Sequence, residues 1–272
     1  MTTTPVSFSS MFSSGVNNFR SAIDYFKPRI SSCLMLVVPF NVVISGVMLV
    51  LLGGFAMAGA GLASTASTEE EAVGAVLGSM AIGLVLSVIL LTPISAYYGF
   101  CFSRFVCKAS RNTTDSFSFG SLWRYDSTFW GYLGLLFLQM LAVGLAMIAV
   151  MVLSMVLFFL LGLPLILAYP VLICFVACSS LSYFDAPESG PMAALSRGWS
   201  LMSKDWRRWA AMSLLLLGVG VATLLVNLLL SFTLGWIPVV GGLAVMIAAF
   251  LISCYALLAI ALCYRDSCAS VS

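Results

Sequence analysis

The chain has 272 residues, of which 62% are hydrophobic and 8% charged, and its mean hydropathy is +1.12. A water-soluble fold cannot bury that much apolar surface, so this composition excludes a soluble protein and indicates one that lies mostly in lipid. The formal net charge is only +2, and histidine is absent, which removes the commonest general base and transition-metal ligand.

Four long stretches carry no charged residue, and they predict the membrane crossings. They cover residues 30–68, 72–103, 127–184 and 209–264. A helix needs about 20 apolar residues to cross the hydrocarbon core, so the first two stretches fit one crossing each, whereas the last two must each fold back once. We therefore predict an all-α, polytopic membrane domain over residues 1–272, with six transmembrane helices arranged as three hairpins. The predicted spans are about 32–58, 73–102, 129–154, 164–184, 210–232 and 239–263.

The segment before each predicted hairpin carries two aromatic residues seven positions apart. The pairs are Phe19 and Phe26, Trp123 and Trp130, and Trp199 and Trp206. This spacing predicts three amphipathic helices, over about 8–27, 115–127 and 190–206, that lie in the headgroup plane with their aromatics toward the acyl chains. Docking on the transmembrane bundle is the alternative role for such helices.

The last of these segments has the clearest two-sided pattern. Its predicted apolar face comprises Met192, Leu195, Trp199, Met202 and Trp206, and the opposite face comprises Ser196, Arg197, Ser200, Lys204 and Asp205. Arg207 and Arg208 follow directly. We predict that Trp199, Trp206, Arg207 and Arg208 anchor anionic lipid headgroups, with the other two aromatic pairs in a similar role. Binding of lipid headgroups accounts for these basic residues, so we do not expect nucleic acid as a partner. Other membrane subunits are possible partners of the protein.

The distribution of charge predicts the orientation of the chain. With six crossings, all twelve basic residues fall on the side of both termini, together with seven of the acidic residues. The opposite side carries only Glu69, Glu70 and Glu71. Ser67 and Glu70 have the spacing of a capping box at the start of the second predicted span. Because positively charged loops stay in the cytoplasm, both termini are expected there.

Polar chemistry inside the predicted spans is sparse. No Asp, Glu, Lys or Arg occurs there, and the mid-membrane amides are Asn41, Gln139 and Asn227. Such amides form hydrogen bonds between helices or line a path for a solute. The sequence contains no motif of a hydrolase, P-loop enzyme or metalloprotease, and the eight cysteines do not form a metal-binding spacing. We therefore predict no enzymatic activity, no cofactor and no metal.

Residues 185–206, DAPESGPMAALSRGWSLMSKDW, resemble a signature of the YciC-like family of bacterial six-helix inner-membrane proteins. That family is related to the membrane domain of some glycerophosphodiester phosphodiesterases, whose catalytic domain this chain lacks. The shared positions are Ala194-Leu195, Gly198-Trp199, Leu201 and Trp206, followed by Tyr264-Arg265-Asp266 at the end of the sixth span. The likeness covers residues 160–266, and Gly198 stands where the family more often has serine. It implies a six-helix fold in a bacterial inner membrane and supplies no active-site residues.

These features together predict a non-enzymatic inner-membrane protein in lipid or envelope homeostasis, acting as a lipid-contacting scaffold or partner subunit. The alternative is a transporter or exporter of an apolar or amphiphilic solute, which would pass through a cavity lined by Asn41, Gln139 and Asn227. A solvent-connected cavity at these amides would favour transport, and a packed core would favour the scaffold.

Overall fold

The computed structural model describes residues 8–111, 117–156, 163–234 and 238–271, and every regular element in these ranges is helical. The α-helices are α1 (Phe8–Phe26), α2 (Ile30–Ala63), α3 (Glu69–Arg111), α4 (Phe119–Leu122), α5 (Thr128–Val156), α6 (Leu163–Asp185), α7 (Gly190–Lys204), α8 (Trp206–Leu234) and α9 (Pro238–Val271). Short 3₁₀ turns over Lys27–Arg29 and Pro187–Ser189 precede α2 and α7.

The prediction of six membrane-spanning helices is confirmed. Six helical stretches of the described residues are long and apolar enough to cross a membrane, and the first of them, Phe12–Ala63, joins α1 to α2. The others lie in α3, α5, α6, α8 and α9. The chain is thus a multi-pass membrane protein. Its helices extend beyond the predicted spans because an uncharged stretch marks only the part suited to hydrocarbon, whereas backbone hydrogen bonding continues into the polar ends.

The chain divides into two compact units, one formed by residues 35–99 and the other by residues 1–34 with 100–272. Within the smaller unit, α2 and α3 pack closely at two glycines: a Cβ on Gly59 would lie 3.1 Å from Val76 Cα, and one on Gly83 would touch the Phe55 ring. Phe40 and Tyr98 stack with their ring centroids 3.8 Å apart. Small residues at these positions allow two helices to approach closely in lipid.

The cap at the start of α3 differs from the predicted one by one residue. Glu71 N donates to Thr68 Oγ1 at 3.3 Å, and Glu71 Oε2 accepts from Ser67 N at 3.0 Å and from Ser67 Oγ at 2.7 Å. The predicted pairing of Ser67 with Glu70 is therefore wrong. Glu69, Glu70 and Glu71 all lie within one residue of the position that a capping box requires. Which of them caps the helix depends on where the helical backbone begins.

The larger unit is built around α6, which packs against α5, α7, α8 and α9. Its buried face consists mostly of small residues, including Cys174, Cys178, Ser179 and Ser182. The first helix, α1, packs across α8 and α9: the rings of Phe19 and Phe26 both meet Tyr255 on α9 edge-on, at 5.8 and 6.1 Å. Docking on the bundle is thus what the structure shows for α1.

The sequence predicts a helix over 115–127, but most of the described part of this segment is not helical, so the prediction is wrong there. Only the single turn α4 forms there, capped by Ser118, whose Oγ accepts from Ser121 N at 3.3 Å. Arg104 Nη2 donates to the carbonyls of Ser121 and Leu122, both at 3.2 Å. These contacts occupy carbonyls that a continuing helix would use for its next turn, so α4 ends at Leu122.

Candidate functional site

A narrow seam of small and apolar residues holds α7 against α6. Ala194, Gly198 and Leu201 are buried along one side of α7. A Cβ on Gly198 would lie 3.0 Å from both the backbone N and the Cα of Ser179, which is closer than side chains normally approach backbone. Cys178 Sγ also lies 3.7 Å from the Gly198 carbonyl oxygen. Residue 198 therefore lacks room for a side chain, so glycine suits this position in the present chain.

The aromatic side of α7 points away from the protein. Met192, Trp199 and Trp206 are 66%, 64% and 59% exposed, and the rings of Trp199 and Phe175 meet edge-on at a centroid distance of 6.0 Å. Met202 belongs to the same predicted apolar face but is buried against the bundle. One part of the predicted apolar face thus packs against the protein, and the other part is exposed.

Exposed basic side chains border this aromatic row. Arg197, Lys204 and Arg207 are all exposed, and the Arg207 guanidinium lies over the Trp206 ring, 5.6 Å from its centroid. A cation above an indole face is attracted by the ring electrons. We name the surface formed by Met192, Trp199, Trp206 and these three basic residues the α7–α8 corner.

Arg208 differs from Arg207 although both were predicted to meet headgroups. Its side chain is 20% exposed and its Nη1 lies 3.2 Å from Asp205 Oδ2. Ser267 on α9 donates to the same carboxylate oxygen at 3.2 Å. Arg208, Asp205 and Ser267 therefore form a half-buried connection between the start of α8 and α9.

The other predicted interface aromatics do not share one surface. Phe19 and Phe26 are half-buried against Tyr255, and Trp123 is half-buried with its ring 6.2 Å from Phe119. Trp130, on α5, is 65% exposed. The corner is thus the place where the structure brings several of the predicted headgroup residues together.

The three predicted amides have different surroundings. Asn41 Nδ2 donates to Val37 O of its own helix at 2.8 Å. Gln139 is buried, and its Nε2 connects α5 to α6 by donating to Val176 O at 3.1 Å and to Ser180 Oγ at 3.2 Å. Asn227 is half-buried on α8. Gln139 therefore acts as a polar link between two helices, a common role for an amide in lipid.

Two open cavities lie between the helices of the larger unit, and their walls are mostly apolar. One, of about 880 Å³, lies between α5, α6, α8 and α9, and Tyr169, Thr223 and Ser253 are among the residues that line it. The other, of about 390 Å³, is lined by Ser103, Tyr132 and Ser180 at one end. Over the described residues, neither Gln139 nor Asn227 lines these two cavities. These two cavities are therefore not the amide-lined path that the transport alternative requires.

A polar junction that sequence reasoning missed joins three helices. Asp185, at the end of α6, forms an ion pair with Arg111 of α3 and accepts a hydrogen bond of 2.7 Å from Tyr264 of α9. The neighbouring Arg265 donates to the Ser110 carbonyl. An acid directly after an uncharged span was the available signal, but the sequence does not show which basic residue or phenol it meets.

Metal coordination has no candidate among the described residues, where no three His, Cys, Asp or Glu side chains cluster. The cysteines of the described part are free and, except for the half-exposed Cys268, buried. Comparison of the chain with models of known protein families, with curated proteins and with solved structures finds no match.

Proposed function

We propose that this protein is a non-enzymatic component of a bacterial inner membrane that contacts anionic phospholipids through the α7–α8 corner. Its role would be that of a lipid-contacting scaffold or partner subunit in membrane homeostasis. The observation that carries the proposal is the exposed row of Met192, Trp199 and Trp206 with basic side chains beside it. Such a surface buries its aromatics at the acyl boundary while its cations reach phosphates.

Two features of the sequence support the location. The basic residues all fall on the predicted side of both termini, which favours a cytoplasmic position for the corner. The resemblance to the YciC-like family favours a bacterial inner membrane, and its signature residues Gly198, Trp199 and Trp206 belong to α7 and the start of α8. The close seam at Gly198 supports the proposal because it fixes the rotation of α7 and thereby the direction of Trp199.

The test compares the lipids that copurify with two triple variants of the full chain. The first variant carries Trp199→Ala, Trp206→Ala and Arg207→Gln. The control carries Phe137→Ala, Phe232→Ala and Arg20→Gln, which removes two aromatics that are 69% and 74% exposed and one exposed cation elsewhere. Native mass spectrometry measures the anionic lipid retained. We expect the corner variant to lose about fivefold in bound phosphatidylglycerol, since one lipid-facing cation contributes about 1 kcal/mol.

Equal retention of anionic lipid by the corner variant and by the control would contradict the proposal. Thermal unfolding in detergent separates lipid loss from misfolding, because the substituted side chains are exposed and their removal leaves the α6–α7 seam intact.

A further inference from the structure

A second basic surface lies away from the α7–α8 corner, in a cleft at the end of α3. The cleft has a volume of about 720 Å³, within the range of sites for small molecules. Its walls come from α3, from α4 and the segment that leads into α5, and from the end of α6 with the 3₁₀ turn after it. Four basic residues line it: Arg104, Lys108, Arg111 and Arg124. We name it the basic cleft.

Two of these cations hold the walls of the cleft in place. Arg104 is largely buried; its Nη1 lies 3.0 Å from Asp126 Oδ2, and its guanidinium carbon lies 5.1 Å from the centre of the Phe100 ring. Together with its bonds to the carbonyls of Ser121 and Leu122, this attaches the segment before α5 to α3. Arg111 is paired with Asp185 at the opposite wall. These two arginines therefore already have acidic partners.

The other two cations are available to a ligand. Lys108 and Arg124 are exposed and form no ion pair with a described residue. Lys108 lies four residues after Arg104 and three before Arg111, so all three share one face of α3. Among the described residues, Asp126 and Asp185 pair with two of the four basic side chains, which leaves two positive charges at the cleft without an acidic partner.

The smaller cavity of the larger unit is lined by residues that are close in sequence to those of the cleft. Ser103, which neighbours Arg104, and Tyr132, one helical turn after Thr128 of the cleft wall, line the smaller cavity of about 390 Å³. Ser103 Oγ and Tyr132 OH lie 3.1 Å apart. The remaining lining of that cavity is largely aliphatic, with Val143, Leu172 and Leu257 among its residues.

We propose that the basic cleft binds the phosphate group of an anionic ligand, with Lys108 and Arg124 as the residues that contact it. An ammonium and a guanidinium form charge-assisted hydrogen bonds with phosphate oxygens, and basic pockets between transmembrane helices suit headgroup phosphates. The phosphate belongs either to a phospholipid or to a soluble phosphate ester. The cleft shares no residue with the α7–α8 corner, so this inference is independent of the proposed function.

The test measures binding of two probes to the purified full-length protein in detergent. The first probe is dihexanoyl phosphatidylglycerol, a short-chain lipid, and the second is glycerol 3-phosphate. Binding is compared between wild type, the double variant Lys108→Gln with Arg124→Gln, and a control with Arg20→Gln and Lys27→Gln. The control removes the same number of exposed cations from α1 and the 3₁₀ turn after it, outside both the basic cleft and the α7–α8 corner. We expect the cleft variant to weaken binding about tenfold and the control to leave it within about twofold.

Each outcome decides the question. Binding of either probe that weakens in the cleft variant alone supports the proposal, and the probe that binds more tightly identifies the source of the phosphate. Binding that is equal in both variants, or no binding of either probe to wild type, overturns it. Arg124→Lys is a further check that retains the charge, so it should keep most of the affinity if the site is electrostatic, and a loss as large as that of the double variant would contradict the assignment.

Discussion

Tyr264 on α9 donates a hydrogen bond of 2.7 Å to Asp185 at the end of α6, across 79 residues of sequence. The same carboxylate pairs with Arg111 of α3, so one acidic side chain connects three helices. Asp185 and Tyr264 belong to the two separate stretches on which the family resemblance rests. Their contact supplies a physical reason for both residue types, because a phenol donates and a carboxylate accepts.

Replacing Asp185 should therefore destabilise the larger unit. We expect Asp185→Ala to lower the free energy of unfolding by about 1–2 kcal/mol, since it removes the acceptor of Tyr264 and the partner of the half-exposed Arg111. Chemical denaturation in detergent micelles measures the change. Glu188→Ala is the matched control, because Glu188 is also acidic, exposed and three residues away, and it should stay within about 0.5 kcal/mol of wild type. Equal losses in both variants would refute a special role for Asp185.

The seam between α6 and α7 should be sensitive to one added methyl group. Gly198→Ala places a Cβ 3.0 Å from backbone atoms of Ser179, which cannot move aside as a flexible side chain can. We expect a loss of about 1–3 kcal/mol in unfolding free energy, with a shift in Trp199 fluorescence as α7 is displaced. Gly218→Ala on α8, where a Cβ meets nothing within 4 Å, is the control and should be neutral or slightly stabilising. A Gly198→Ala variant as stable as the control would show that the seam tolerates a side chain.

The contact of Asp126 with Arg104 and α5 should give the protein a pH-dependent component of stability. Partial burial by itself raises the pKa of Asp126, but hydrogen bonds from Thr128 and the charge of Arg104 outweigh that effect and hold the pKa below its ordinary value. A lowered pKa stabilises the fold above the unfolded-state value and loses that contribution as the pH falls through the folded-state value. Wild type should therefore lose thermal stability below about pH 4.

Asp126→Asn isolates this contribution. The variant should be less stable than wild type at neutral pH, and the difference between the two melting temperatures should shrink as the pH falls from about 6 to about 3. Thermal unfolding of both proteins across this range checks the prediction. A gap that stays constant down to the lowest pH would show that the carboxylate charge of Asp126 does not stabilise the fold.

The orientation inferred from charge can be tested directly. With all twelve basic residues on the side of both termini, a reporter fused after Ser272 should be cytoplasmic, and one inserted at Glu70 should face the opposite side. Fluorescent-protein and alkaline-phosphatase fusions at both positions provide the measurement, since the first is active in the cytoplasm and the second outside it. Alkaline phosphatase activity of the fusion at Ser272 would contradict this orientation.

Local chemistry along the chain was enough to predict the membrane spans. An uncharged stretch of sufficient length must cross or fold back, and this follows from hydropathy without knowledge of any neighbour. The start of α5 and the end of α6 lie within one residue of the predicted spans for this reason. The helical segment of α7 was predicted in the same way, because its apolar residues recur at helical spacing.

Tertiary structure decided which neighbour each apolar face meets. Met202 and Trp199 belong to the same predicted face of α7, yet one is buried against the bundle and the other is exposed. Lipid and protein interior are both apolar, so hydropathy cannot distinguish them. The basic cleft and the junction of Asp185 with Tyr264 depend on residues from distant segments, and Arg104 ends α4 through carbonyls 17 and 18 residues away. Such pairings arise only when helices pack, because the residues in each segment fit several partners equally well until geometry selects one.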